Sequence, residues 1–378
     1  MAFEYPVHFT RNVFDPANAL LESVLGRLGE RRRHRAAVYV DRGLLEGHPG
    51  LLERIEEYFH SRPAALELAG APQVLPGGEA AKNGWAAVRE VLWTIGNLHL
   101  DRQSYVLAVG GGAVLDMVGF AASIVHRGLR LVRMPTTTLS QCDGGVGVKN
   151  GMNEHGMKNF IGTFAPPFAV LNDFSFLPTL SQEHWLGGVA EAFKVALIKD
   201  AGFVDFLCAH ASEVRRRDAA TMETIVRRTA MLHLAHIAAG GDPFEFGSAR
   251  PLDFGHWAAH KLETMSSYSI SHGLAVAVGV ALDSCYAQRQ GLLRSEDLER
   301  VLRAMAECGL PIWSDLLARR TPEGVLEVLE GLAQFREHLG GALTVTLPRG
   351  VGEKVEVHQM NPQVIEESIA FLGQRSGA

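Results

Sequence analysis

The chain has 378 residues, 47% hydrophobic and 21% charged, too long for one ordinary domain and suited to two sizeable ones. Its net charge of −6 argues against a general nucleic-acid or anionic-membrane binder, so any ligand phosphate needs a local cationic pocket. Cys142, Cys208, Cys285 and Cys308 form no CxxC pair, "MAFEYPVHFTRNVF" has no apolar signal core, and no apolar run is long enough for a bilayer, so a cytoplasmic enzyme with reduced thiols is expected.

The first half alternates strand and helix patterns. "AAVYVD" (36–41) is a short β-branched run ending in an acid, and "PGGEAAK" (76–82) is a small polar loop. "SYVLAVGGG" (104–112) predicts a buried strand stopped by three glycines, and the apolar helix of "AVLDMVGFAASIVH" follows it. "LRLVRMPTTT" (129–138) is another strand closed by a proline turn, the glycine-rich stretch 141–162 reads as a loop, and "FAVLND" (168–173) is a further strand. Strand, glycine turn, helix and strand together indicate a parallel sheet with right-handed crossovers. After about residue 178 the texture turns helical, beginning with "LSQEHWLGGVAEAFKVALIKD" behind a Ser181 cap, with one late strand at 342–348. The expected fold is α/β + α, with a Rossmann-like parallel-sheet nucleotide domain over 1–177 and a mainly helical metal- and substrate-binding domain over 178–378.

Three groups of residues carry chemistry. Gly110, Gly111 and Gly112 end a strand and open a helix, where backbone N–H groups and the helix dipole can meet a pyrophosphate. Asp41 is placed to accept hydrogen bonds from a ribose. The spacing is not G-x-G-x-x-G, and a packing role for the glycines stays open. His256 and His260, four apart, share a helix face. With His272 in "SHG" and Glu191 in "GGVAEAFK", two imidazoles and a carboxylate suit a Zn²⁺ site of the catalytic type, with positions left for substrate. Lys194 shares the Glu191 face. The loop "QCDGGVGVKNGMNEHGMKNFIG" offers Lys149, Asn150, Asn153, Lys158 and Asn159 to an anionic, hydroxylated ligand, or is only a solvated loop.

Over nearly its whole length the chain resembles the 3-dehydroquinate synthase-like sugar phosphate cyclases. The motifs are "PGGEAAK", "GGGAVLDMVGF", "HRGLRLVRMPTTTL", "DGGVGVKNGMN", "KNFIGTF", "GVAEAFKVALIKD", "DFGHWAAH" and "SHGLAVAVG". The resemblance implies a homodimer that uses catalytic NAD and a divalent metal, zinc or cobalt. It implies Glu191, His256 and His272 as metal ligands, and Asp41, Glu79, Lys82, Gly111, Gly112, Asp116, Thr136 and Thr137 along NAD, with Lys149 and Lys158 bordering both cofactor and substrate. Asp143, Lys149, Lys194 and His260 are implied as catalytic groups, with Lys158 and Asn159 on the substrate. Arg127 would reach the phosphate from the neighbouring subunit. The implied reaction is a carbon–oxygen lyase sequence of transient oxidation, β-elimination of phosphate, re-reduction and intramolecular aldol closure.

Four positions depart from the family pattern. Asp253 stands where an asparagine is usual, and a carboxylate there repels a phosphate dianion unless protonated or bridged. The carboxylate-binding arginine aligns with Ala249, beside Arg250. An upstream lysine aligns with Ala235, between His233 and His236, and near the C-terminus Arg336 is the nearest cation. A substrate carboxylate wants a fork of cationic donors, so the departures point to a neutral-headed ketose phosphate such as sedoheptulose 7-phosphate, giving a valiolone-like cyclitol. The alternatives are 3-dehydroquinate synthase proper, acting on the seven-carbon keto-acid phosphate, and a metal alcohol dehydrogenase of the glycerol dehydrogenase type. A binding protein that has lost turnover is the non-enzymatic alternative.

Overall fold

β-Branched and aromatic residues with every side chain buried cannot sit at a wetted surface, and in the first half they pair as a parallel sheet. The structure, a computed structural model, describes residues 4–155, 157–239, 251–338 and 341–377. Contacts divide it into two compact units, Met1–Leu180 and Ser181–Ala378. The described strands of the first are β1 (Val7–Thr10), β2 (His34–Asp41), β3 (Leu66–Leu68), β4 (Gln73–Leu75), β5 (Tyr105–Gly110), β6 (Arg130–Pro135), β7 (Lys149–Glu154), β8 (Met157–Phe164) and β9 (Ala169–Asp173).

The main sheet runs β1-β9-β6-β5-β2-β3, with β4 also paired to β2, and its strand pairs are parallel. The two-residue period of β2 sorts its side chains. Ala36, Val38 and Val40 enter a core with Leu51, Ile55 and Phe59 of the helix Leu51–His60. Ala37 and Tyr39 enter the opposite core, with Val88 and Val91 of the helix Ala86–Asn97 and Leu115 and Val118 of the helix Gly112–Ile124.

The stretch 141–162, expected as a loop, is largely an antiparallel hairpin of β7 and β8, with an irregularity between Met152 and Glu154. Glycine and asparagine are poor strand formers, so no local pattern announces it. Packing on the helix Gly112–Ile124 fixes it, through a Ser123–Thr163 hydroxyl contact of 2.9 Å and the close approach of Gly119 to Asn150.

The second unit is mainly helical. Its helices include Gln182–Lys199, capped by Ser181, then Ala219–Ala239, His256–Met265, His272–Arg289 and Glu330–His338. A small antiparallel pair, β10 (Val345–Pro348) and β11 (Lys354–Val357), covers the predicted late strand. Among the described residues no helix is long and apolar enough to cross a membrane. Among the described residues the cysteines form no disulfide, with Cys142, Cys285 and Cys308 buried and Cys208 half-buried.

Candidate active site

In the first unit, register places the predicted nucleotide residues along one sheet edge. Asp41 pairs with Leu75, Val40 with Val109, and Gly110 with Pro135, so β4, β2, β5 and β6 end side by side. Asp41 accepts from the backbone N–H of Gly43 at 2.9 Å and of Gly111 at 3.3 Å, which ties the acid to the glycine turn. The turn after β4 is pressed against the same carboxylate, since a Cβ on Gly77 would lie 2.1 Å from Asp41 Oδ1. Nothing lies within 4 Å of where a Cβ would stand on Gly78 or Gly112, so space is open above both turns. Gly112 opens the helix Gly112–Ile124, whose first N–H groups offer an anion site. Thr136 donates its backbone N–H to Gly110 O at 3.0 Å, and Thr137 caps the next helix in a reciprocal box with Ser140.

Beside this edge is a polar network. Lys82, almost fully buried, forms an ion pair with Asp116 at 2.7 Å and hydrogen bonds to Asn159. Asn153 donates to Glu79 at 2.7 Å and to Asn83 at 2.9 Å, and accepts from the Asn159 N–H at 3.0 Å. Lys158 Nζ lies 3.9 Å from Glu79. Glu79, Lys82 and Asp116, expected at NAD, and Lys158 and Asn159, expected at substrate, are thus one connected group.

The half-buried Asp143 and the exposed Lys149 flank a turn held from beneath by Arg133, which the sequence reading did not single out. Its guanidinium, wholly buried in β6, donates to Gly147 O at 3.0 Å, Gly144 O at 3.2 Å, and Lys149 O and Asn150 Oδ1 at 2.6 Å each. Arg127 is exposed, in left-handed backbone (φ 64°), past the far end of the 13-residue helix from the glycine turn. That length is about 20 Å, so within one chain Arg127 does not join the group.

In the second unit, ligand atoms of Glu191, His256 and His272 lie within 4.8 Å of one another. Two glycine contacts allow this convergence. A Cβ on Gly273 would lie 2.5 Å from Gly187 Cα, so the helix that begins at His272 touches the Glu191 helix backbone to backbone. Gly255, in left-handed backbone (φ 78°), packs directly against Gly279 and Val280, which seats the start of the His256 helix on the His272 helix.

The donor chemistry suits a divalent cation. Burial, then the Lys194 ammonium and the neighbouring imidazoles, hold the His256 pKa well below the ordinary histidine value, which favours the neutral, ligating form. His256 Nδ1 faces Phe254 O at 3.2 Å. His272 Nδ1 meets Glu263 Oε2 at 3.1 Å, while its Nε2 lies 3.7 Å from Glu191 Oε1. Lys194 Nζ forms an ion pair with Glu191 Oε2, and both side chains are almost wholly buried. The exposed His260 ring stands 5.4 Å from His256 and 5.8 Å from His272, centroid to centroid.

Two buried acids here were missed by sequence reasoning. Glu263 lies seven residues after His256, on the same helical stripe as His260. Asp283 accepts from Trp257 Nε1 at 2.9 Å and from Gly255 N–H at 3.1 Å, fixing the turn that presents His256, and burial raises its pKa to about 7. Asp253 is half-buried in the turn Pro251–Asp253, just before that helix. Arg336 is exposed on Glu330–His338, a helix whose Glu330 bonds Lys261 at 2.6 Å. Ala249 and Arg250 lie outside the described residues.

A sheet unit with a glycine turn, followed by a helical unit with a carboxylate–imidazole cluster, has the architecture of the 3-dehydroquinate synthase-like fold. Residues 73–187 match the family described as 3-dehydroquinate synthase N-terminal, and residues 188–331 that described as 3-dehydroquinate synthase C-terminal. The chain is 35% identical over 360 residues to a 2-epi-5-epi-valiolone synthase of Streptomyces glaucescens, covering 94% of this chain and 87% of that protein. It is 31% identical over 371 residues to a 3-dehydroquinate synthase of Pseudomonas savastanoi pv. phaseolicola, covering 97% and 93%. It is also similar to the solved structure of ValA, the 2-epi-5-epi-valiolone synthase of Streptomyces hygroscopicus subsp. jinggangensis 5008, with NAD+ and Zn2+ bound. That match has a TM-score of 0.85 and 30% identity over 99% of this chain and 98% of the other. The chain belongs to the 3-dehydroquinate synthase-like sugar phosphate cyclase family.

Proposed function

We propose that the chain is an NAD- and divalent-metal-dependent lyase that converts a ketose phosphate, sedoheptulose 7-phosphate or a close analogue, into a cyclitol with loss of inorganic phosphate. The observation that carries the reading is the convergence of Glu191, His256 and His272, with His256 biased to its neutral form. Bound there, a divalent cation supplies Lewis acidity toward substrate oxygens, and NAD supplies a reversible hydride acceptor, so no net oxidation results.

The chain's own residues do the rest. Asp41 and the N–H groups of Gly111 and Gly112 bind the dinucleotide, flanked by Glu79, Lys82, Asp116, Thr136 and Thr137. Lys149 and Lys158 bring positive charge to the phosphate, while Asp143 and Asn159 orient hydroxyls. Lys194 sets the charge beside Glu191, and His260, open to solvent, takes and returns protons at its ring nitrogens. In a homodimer, Arg127 of one copy serves the phosphate of the other, consistent with its exposure and its distance from its own glycine turn.

The neutral-headed substrate is supported by what occupies the positions of the family's carboxylate-binding cations. Ala235 carries no charge, and the neighbouring His236 lies 3.3 Å from Lys199 Nζ. The likeness to valiolone synthases points the same way. The lysine-rich hairpin, which a plain alcohol has no use for, argues against the glycerol dehydrogenase alternative. The deciding experiment incubates purified protein with NAD, Zn²⁺ or Co²⁺ and each sugar phosphate, and follows free phosphate, NADH and product mass. Phosphate release from sedoheptulose 7-phosphate without net NADH is expected. Turnover of the seven-carbon keto-acid phosphate alone overturns the substrate and leaves the family standing.

A further inference from the structure

We propose that Glu263 is the positioning residue of the metal cluster, holding His272 in the tautomer and ring orientation that aim Nε2 at the ion. The inference rests on Glu191, His256 and His272 being the ligands and goes beyond it, because Glu263 is outside that set.

Three observations carry it. Glu263 is 2% exposed, so its carboxylate faces protein and not water. Its Oε2 lies 3.1 Å from His272 Nδ1, within hydrogen-bond reach. The opposite ring nitrogen, Nε2, is the one turned toward Glu191 Oε1, 3.7 Å away. A carboxylate oxygen placed this way accepts from an Nδ1–H, and that tautomer leaves the Nε2 lone pair on the side turned toward Glu191. A ligating histidine whose other nitrogen donates to a carboxylate is fixed in rotation and made more basic. His272 needs such a support, because it opens its helix and its side chain is about one-third exposed.

Glu263 is itself held in place. It sits on the last turn of His256–Met265, and its carbonyl accepts from Tyr268 N–H at 2.7 Å and Ser266 Oγ at 2.9 Å, closing the helix end. One helix stripe therefore carries His256, His260 and Glu263, a ligand, a solvent-facing imidazole and an orienting acid. His260, Glu263 and His272 also satisfy the geometry of a second cation group, so a separate ion there is the competing reading.

The test uses the full chain, stripped of metal, as wild type, Glu263→Gln, Glu263→Ala and His256→Ala. Zinc affinity and stoichiometry are read by competition with a chromophoric chelator, and the His272 tautomer by ¹⁵N NMR of histidine-labelled, metal-free protein. Glu263→Ala is expected to weaken zinc about 10–100-fold at one zinc per chain, with less loss in Glu263→Gln, which keeps an acceptor. The His272 tautomer is expected to lose its Nδ1–H preference in Glu263→Ala, a change that a purely structural role does not produce. Zinc affinity and tautomer unchanged in both variants, while His256→Ala abolishes binding, overturns the role of Glu263 and spares the ligand set. Two zincs per wild-type chain and one in Glu263→Ala overturns it in favour of a second ion. Zinc binding that is absent in wild type, or equal in His256→Ala, overturns the ligand set and this inference with it.

Discussion

The two units build their sites from opposite materials. The first uses mainly ends of strands, backbone amides and half-exposed acids, as Asp41 is bonded to Gly111 and Asp116 to the one buried lysine of the network, Lys82. The second uses buried ionisable side chains on helices, with Glu191, Lys194, Glu263 and Asp283 all nearly or wholly shielded from solvent. Burying charge is unfavourable unless each group has a partner, so the helical site is the more rigid and the more exposed to failure when one group changes. An edge of parallel strands instead positions a ligand through groups the fold already needs.

The largest expected effect follows from that contrast. Burial raises the Asp283 pKa from 3.8 to about 7. The folded state therefore holds the proton more tightly than the unfolded chain does. The contribution is fully present below about pH 4 and is lost as pH rises through about 7. By linkage the unfolding free energy falls by on the order of 3 kcal/mol between pH 5 and pH 8 through this group. Denaturant titrations at both pH values should show that fall in wild type and a much flatter profile in Asp283→Asn. An equal slope in both proteins would mean that charge burial does not set this unit apart.

Gly273→Ala comes next. A methyl 2.5 Å from Gly187 Cα has backbone to displace, not a flexible side-chain tip. Overpacking of this kind costs about 1–3 kcal/mol. Because His272 adjoins the contact, zinc affinity should drop together with stability, while NAD binding by the first unit stays as in wild type. Wild-type zinc affinity in a destabilised Gly273→Ala protein would show that helix spacing does not set ligand convergence.

These two predictions also mark what the sequence displayed. The edge at Asp41 and Gly110 was legible because a strand, its glycine stop and the next helix are consecutive, and parallel pairing does the rest. His256 and His260 were legible as a helical pair for the same local reason. Donor chemistry offered Glu191 and His272 as candidates, but choosing them with His256 as one ligand set came through resemblance, since contacts such as Gly187–Gly273 join residues far apart in sequence and leave no periodicity. Glu263 had a signal, its place three residues after His260 on one stripe. Asp283 had another, a lone acid in the apolar run "HGLAVAVGVALDSCY". The β7–β8 hairpin had none, because its glycines and asparagines are specified by the helix beneath them.

Arg133 offers the smallest and most local test, inside the first unit. A cation in the middle of a buried strand contradicts the hydrophobic pattern of "LRLVRMP", and burial alone lowers its pKa, yet a guanidinium stays charged in proteins. It donates to three carbonyls and the Asn150 side chain, all neutral, on the turn after Asp143 and the first two residues of β7. Arg133→Met would leave those oxygens without their donor, but the turn has an exposed face at Gly144 and Lys149 through which water can enter. The expected loss is therefore about 1 kcal/mol, at the low end for a broken buried hydrogen-bond group. Hydrogen exchange should quicken over residues 144–150, with a weaker KM for the sugar phosphate and unchanged zinc affinity. If exchange there stays slow, the turn is rigid without its buried cation, and the first unit relies on its own backbone even more than the contrast with the helical unit requires.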